Sequence, residues 1–135
     1  MLQKLHKNRS GFTLVEIMIV VAIIALLAAI AVPGFLRARK RSQATRILED
    51  LRLIDAAVDQ YAIEYHLTSN TPVTSTQIKL YLKPNSQLYS TWATVTSTPY
   101  SGSYNVDASI LTPTGTSAAL GDVAPASFWL PFTLQ

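Results

Sequence analysis

Between Ile17 and Leu36 the chain runs 20 residues without a charged side chain, and this run constrains the fold more than any other feature of the 135-residue sequence. As an α-helix rising about 1.5 Å per residue it covers roughly 30 Å, the thickness of a bilayer's hydrocarbon core. Its apolar residues fall on every side of such a helix, so the segment requires lipid or copies of itself around it. The remaining length allows one core and excludes a two-lobed enzyme with a site between its lobes. Charged residues make up 14% of the chain against 49% apolar, a balance that excludes a disordered chain and points to a membrane or assembly partner.

The net charge of +3 does not describe the whole molecule. Lys4, Lys7 and Arg9 supply three positives, and the other 8 Lys and Arg are matched by 8 Asp and Glu. The basicity belongs to the first ten residues, so no nucleic-acid partner is predicted. With 0 Cys there is no disulfide framework and no thiolate metal site,.

Pro33 and Gly34 close the apolar run, and Arg37, Arg39, Lys40 and Arg41 follow at once. A proline inside a helix loses a hydrogen bond and clashes with the preceding turn at a cost of about 3 kcal/mol, so a helix break by kinking or local melting is expected at Pro33 and Gly34. Beyond it Ile47, Leu51, Ile54, Val58, Tyr61 and Tyr65 recur at steps of three and four. This predicts an amphipathic helix with one face on something apolar. After about residue 67 charge becomes sparse and Ser and Thr frequent. Thr74-x-x-Gln77 matches a helix capping box and predicts a short helix ending before Pro84. Thr, Val, Tyr and Trp then dominate, punctuated by Gly and Pro, which predicts strands at 92–96, 103–110 and 127–134 in an antiparallel sheet, with Pro131 pushing the last to an edge. The expected fold class is α+β: a long N-terminal helix, spanning in its first half and amphipathic in its second, packed on a small antiparallel sheet.

The segment Gly11-Phe12-Thr13-Leu14-Val15-Glu16, after a short basic stretch and at the mouth of the long apolar helix, is the most specific signal in the chain. It resembles the class III signal of type IV pilins and type II secretion pseudopilins, and the resemblance extends from Arg9 to about Phe35, including Pro33. The resemblance implies that a membrane prepilin peptidase cuts between Gly11 and Phe12 and methylates the new amino terminus at Phe12. It implies a leader at 1–11, a transmembrane and filament-core helix at 12–36, an amphipathic helix at 37–66 and a β-rich head at 67–135. It further implies a structural subunit that polymerises with copies of itself and with other pilins on an inner-membrane assembly platform. Before assembly such a subunit sits in the bacterial inner membrane as a single-pass protein; afterwards it is extracytoplasmic. The absence of a cysteine pair in the C-terminal half departs from many pilins.

Physical chemistry bears on the same residues. A glycine before the scissile bond leaves the backbone open to a protease. A carboxylate within a spanning segment asks for a partner, since it costs on the order of 3 kcal/mol at mid-depth. The resemblance implies that Glu16 pairs with the Phe12 amine of a neighbouring subunit; alternatively, it snorkels to the headgroups. Ala22, Ala25 and Ala29 share a helix face and would let neighbouring helices approach. The leader carries three positives and the 37–41 cluster four, so charge counting does not fix topology. That cluster reads as a solvated juxtamembrane turn, with lipid or nucleic acid as the alternatives.

No catalytic constellation appears, and the chain is read as a non-enzyme without cofactor or metal. His66 reads as a cation at the end of the amphipathic helix. Asp107 and Asp122 lie in polar loops and form at most a weak Ca²⁺ pair. Phe128, Trp129, Leu130, Phe132 and Leu134 form an apolar tail expected to pack on the helix stripe. Two rival readings remain: a non-polymerising single-span binding module, and a domain secreted by Sec processing after Ala29-Ile30-Ala31.

Overall fold

A computed structural model describes residues 11–135. The basic positions of the expected leader, Lys4, Lys7 and Arg9, with His6, lie outside the described residues. The chain divides into two compact units, one ending at Leu36 and the other covering Arg37–Gln135.

In the first unit every residue from Gly11 to Leu36 is exposed. The long helix, α1, is assigned over Leu14–Glu64 and runs through Pro33 and Gly34. The expected melting at these two residues is therefore corrected. Proline removes one donor from the ladder, while the aliphatic residues on both sides keep theirs.

In the second unit α1 buries Ala44, Ile47, Leu48, Leu51, Ile54, Ala57, Val58 and Ala62, an apolar stripe at helical spacing. The stripe ends earlier than the sequence pattern suggests: Tyr61 is half-buried, and Tyr65, one residue beyond the helix, is 56% exposed. Tyr65 instead stacks on Tyr61 with ring centroids 4.5 Å apart.

The helix closes on His66, whose φ of 51° is left-handed. The His66 amide donates to the Ile63 carbonyl at 3.3 Å and the Leu67 amide to the Ala62 carbonyl at 2.9 Å. These two bonds form a Schellman cap in which a histidine occupies the position usually given to glycine.

The sheet has two antiparallel strands, β1 (Pro72–Thr74) and β2 (Ser103–Asn105), with Val73 opposite Tyr104. Both central residues are buried in one core with the α1 stripe. The predicted capping box forms: Gln77 Oε1 accepts from the Thr74 amide at 2.8 Å and from its hydroxyl at 2.9 Å. Behind it α2 (Ser75–Ile78) and a 3-10 turn (Lys79–Tyr81) end before Pro84. Two further short helices follow, α3 (Gln87–Thr91) and α4 (Thr116–Leu120).

The other strand expectations are corrected. At 92–96 a single bridge joins Ala93 to Pro99, because Trp92 and Ser97 take positive φ and the Thr94 hydroxyl captures the amides of Thr96 (3.2 Å) and Thr98 (3.0 Å). Side-chain oxygens that bind nearby amides compete with a strand ladder. The 103–110 strand stops at Asn105, and Asp107 turns the chain at φ 58°. Residues 127–134 hold a 3-10 turn (Ala126–Trp129), a cis Leu130–Pro131 bond and one bridge from Thr133 to Leu111. The tail still packs inward: Trp129 and Phe132 are buried, Phe128 and Leu134 are partly so, and Leu130 is exposed.

Candidate functional site

At the start of α1 the sequence Thr13-Leu14-Val15-Glu16 folds as a second capping box. Glu16 Oε2 accepts from the Thr13 amide at 2.8 Å and from the Thr13 hydroxyl at 2.9 Å, while the Glu16 amide donates back to Thr13 Oγ1 at 3.2 Å. Two amides that no helical carbonyl can reach are thereby satisfied, and a carboxylate lies where the helix dipole is positive. The Thr-x-x-Glu spacing ahead of an apolar run is the sequence signal for this box, although a carboxylate in an apolar helix points first to a partner outside the chain. Within the chain, its partner is Thr13.

Gly11 and Phe12 precede this box, and Phe12 is 81% exposed. A Cβ built on Gly11 meets nothing within 4 Å, so the backbone next to the expected scissile bond is open. Beyond the box the large apolar side chains up to Leu36 stay at least half exposed, and α1 carries the described stretch long and apolar enough to cross a membrane. Ala22, Ala25 and Ala29 share this exposure.

The remaining candidates are scattered within the second unit. Asp122 accepts from Lys40 Nζ at 2.9 Å, which with the nearby positive charge of Arg37 holds its carboxyl below the usual range. Asp107 accepts from Ser69 Oγ at 2.5 Å. Rather than joining Asp122, Asp107 shares a cleft with Asp55 and Asp59, an acidic grouping that the i, i+4 spacing on α1 announces for two of its three members. Burial, reinforced by Asp59, pushes the Asp55 carboxyl up. Among the described residues no group of three or more His, Cys, Asp or Glu could hold a metal. His66 acts through its backbone in the helix cap, two residues past the last helical residue.

Asp50 and Tyr100 form a polar contact between the helix and the loops over it. The Tyr100 hydroxyl donates to Asp50 Oδ2 at 2.9 Å. Burial raises the Asp50 carboxyl, and the tyrosine only partly offsets it. Nearby, Tyr61 accepts from Gln77 Nε2 at 2.8 Å, and the Tyr81 hydroxyl donates to Glu64, which pushes Tyr81 up to about 12.

Comparison with known proteins bears on the first of these sites. Residues 6–32 match the family described as the prokaryotic N-terminal methylation motif. The chain is 43% identical over 74 residues to the type IV wide pilus major component PilA4 of Thermus thermophilus, an overlap of 55% of this chain and 53% of that one. It is 45% identical over 67 residues to the type IV major alpha-pilin of Moraxella bovis, covering 50% and 40% of the two chains. To the type II secretion system core protein G of Pseudomonas aeruginosa it is 40% identical over 59 residues, covering 44% and 42%. The chain thus spans about half the length, or less, of these relatives. No solved structure matches it. The chain carries the prepilin-type methylation motif at the mouth of its long helix, and its resemblance is to type IV pilins and type II secretion pseudopilins.

Proposed function

We propose that the protein is a structural subunit of a type IV pilus or type II secretion pseudopilus that polymerises through residues 12–36. One observation carries this reading: an exposed apolar helix, uncharged from Ile17 to Leu36, bears the methylation motif at its start. Lipid covers that helix in the stored subunit, and copies of it cover it in the filament. A prepilin peptidase cuts between Gly11 and Phe12 and methylates Phe12. The new α-amine, with an ordinary pKa of about 7.7 to 8, is largely protonated at neutral pH. Glu16 of one subunit then neutralises the Phe12 amine of the next, because an unpaired ammonium in an apolar filament core costs on the order of several kcal/mol. The assembly platform in the inner membrane extracts the processed subunit. Its relatives are named as pilus components and as a secretion-system core protein, which supports a structural role over a catalytic one.

Mass spectrometry of the mature amino terminus tests the reading. A chain beginning at methylated Phe12 is expected. A chain that keeps Met1 points to a binding module that never polymerises, and one that begins near Val32 points to Sec release; either result overturns the proposal. Gly11→Leu should accumulate unprocessed, whereas Phe12→Leu should still be cut.

A further inference from the structure

Arg37 and Arg41 stand one helical turn apart, about 6 Å along α1, and line one cleft of about 370 Å³ with Ala38, Asp122 and Val123. Both arginines are exposed. The cleft has one carboxylate, Asp122, and Lys40 engages it at 2.9 Å. Among the described residues this is the one ion pair within 4 Å, so neither Arg37 nor Arg41 meets a carboxylate at that range. The result is a cleft in which the resident anion is paired with a third cation, while Arg37 and Arg41 share the lining with Ala38 and Val123. Planar guanidiniums match phosphate oxygens two at a time. Chain order puts Arg37 directly after Leu36, the last residue of the uncharged run, which is the depth at which a spanning helix meets headgroups. Among the described residues no aromatic side chain lines the cleft to stack on a base,.

We propose that the Arg37 and Arg41 cleft binds the phosphate of an anionic phospholipid headgroup while the subunit is stored in the membrane. This rests on the membrane-stored reading given above. The lipid fixes the depth of the helix where its apolar run ends, and it is left behind when the subunit is extracted.

The test uses the full chain reconstituted into vesicles of phosphatidylcholine, with and without phosphatidylglycerol, then extracted gently so that native mass spectrometry counts the lipids it retains. Wild type is expected to retain phosphatidylglycerol in preference. A hydrogen bond to a charged group contributes about tenfold or more, so Arg37→Ala with Arg41→Ala should reduce the preference at least about tenfold. Arg39→Ala removes the same charge from a position two residues along, where helix geometry turns it away from this face, and should change the preference little. A loss from Arg39→Ala equal to that from Arg37→Ala overturns the cleft in favour of diffuse charge. A duplex oligonucleotide held by the same arginine pair more tightly than the lipid assigns the cleft to nucleic acid instead. Insertion into both vesicle types without lipid preference overturns this proposal alone; failure to float with either vesicle overturns the membrane reading and this proposal with it. Circular dichroism of each variant at wild-type helicity separates loss of binding from loss of fold.

Discussion

Glu16 holds Thr13 by both its amide and its hydroxyl, at 2.8 and 2.9 Å through one carboxylate oxygen. The residue proposed to neutralise a neighbour's amine is therefore already the keystone of its own helix start, and the two roles separate by substitution. Glutamine also completes a capping box but carries no charge. Glu16→Gln should keep processing and the helix start, and Glu16→Gln and Glu16→Ala should both lose filaments. Sheared-filament yield checks this, with electron microscopy; wild-type filaments from Glu16→Gln would leave capping as the only role of Glu16.

His66 stops α1 in a left-handed conformation that costs a side-chain-bearing residue about 1 kcal/mol,. His66→Gly should raise the stability of the chain by about 0.5 to 1 kcal/mol, read as a higher denaturant midpoint at unchanged slope. A lower midpoint would mean that the imidazole contributes contacts exceeding the strain.

The sequence revealed what repeats and missed what is local. Ile47, Leu51, Ile54 and Val58 announced their face because helical spacing repeats across many residues, and Thr74 and Gln77 announced their cap because its geometry fixes the residue types. The strands at 92–96 and 127–134 were misread because β-propensity is a weak local signal. Thr94, with two neighbouring amides on its hydroxyl, and Pro131, without a donor, overrule it. At the candidate site the Gly11 to Glu16 signal is legible in the sequence, whereas the intrachain partner of Glu16 is not, since a carboxylate in an apolar helix points first to a partner outside the chain. The Asp55, Asp59 and Asp107 cleft needed the turn at Asp107, for which no residue pattern was available.

Thr94 is 2% exposed and its hydroxyl serves two amides. Thr94→Val keeps the shape and removes that acceptor, so the variant should lose about 1 to 3 kcal/mol. Chemical denaturation measures it, and a loss under about 0.5 kcal/mol would show that water takes over both amides.

Burial raises the carboxyls of Asp50 and Asp55 above their ordinary value of 3.8. Between the unfolded and folded values the native chain holds a proton that the unfolded chain has released. These two groups therefore add stability as pH falls from neutral through the raised values, and the gain is complete below the unfolded value. Asp50→Asn with Asp55→Asn should lack that gain. At neutral pH the double variant should be at least as stable as wild type, since the amide oxygen introduced at position 50 still accepts from Tyr100. Thermal melts across mildly acid pH decide it; an unchanged acid slope in the double variant would place the effect elsewhere.

The sheet beside α1 amounts to three facing residue pairs, from Pro72–Asn105 to Thr74–Ser103. Most of the material laid over the α1 stripe is fastened by individual turns, caps and hydroxyl bonds rather than by a continuous ladder. A ladder transmits an inserted residue down its whole length as a register shift, whereas separate fastenings confine it to one loop. The covering around this helix can thus be recut piece by piece, and the outer face can change its chemistry while the part that buries the core keeps its geometry.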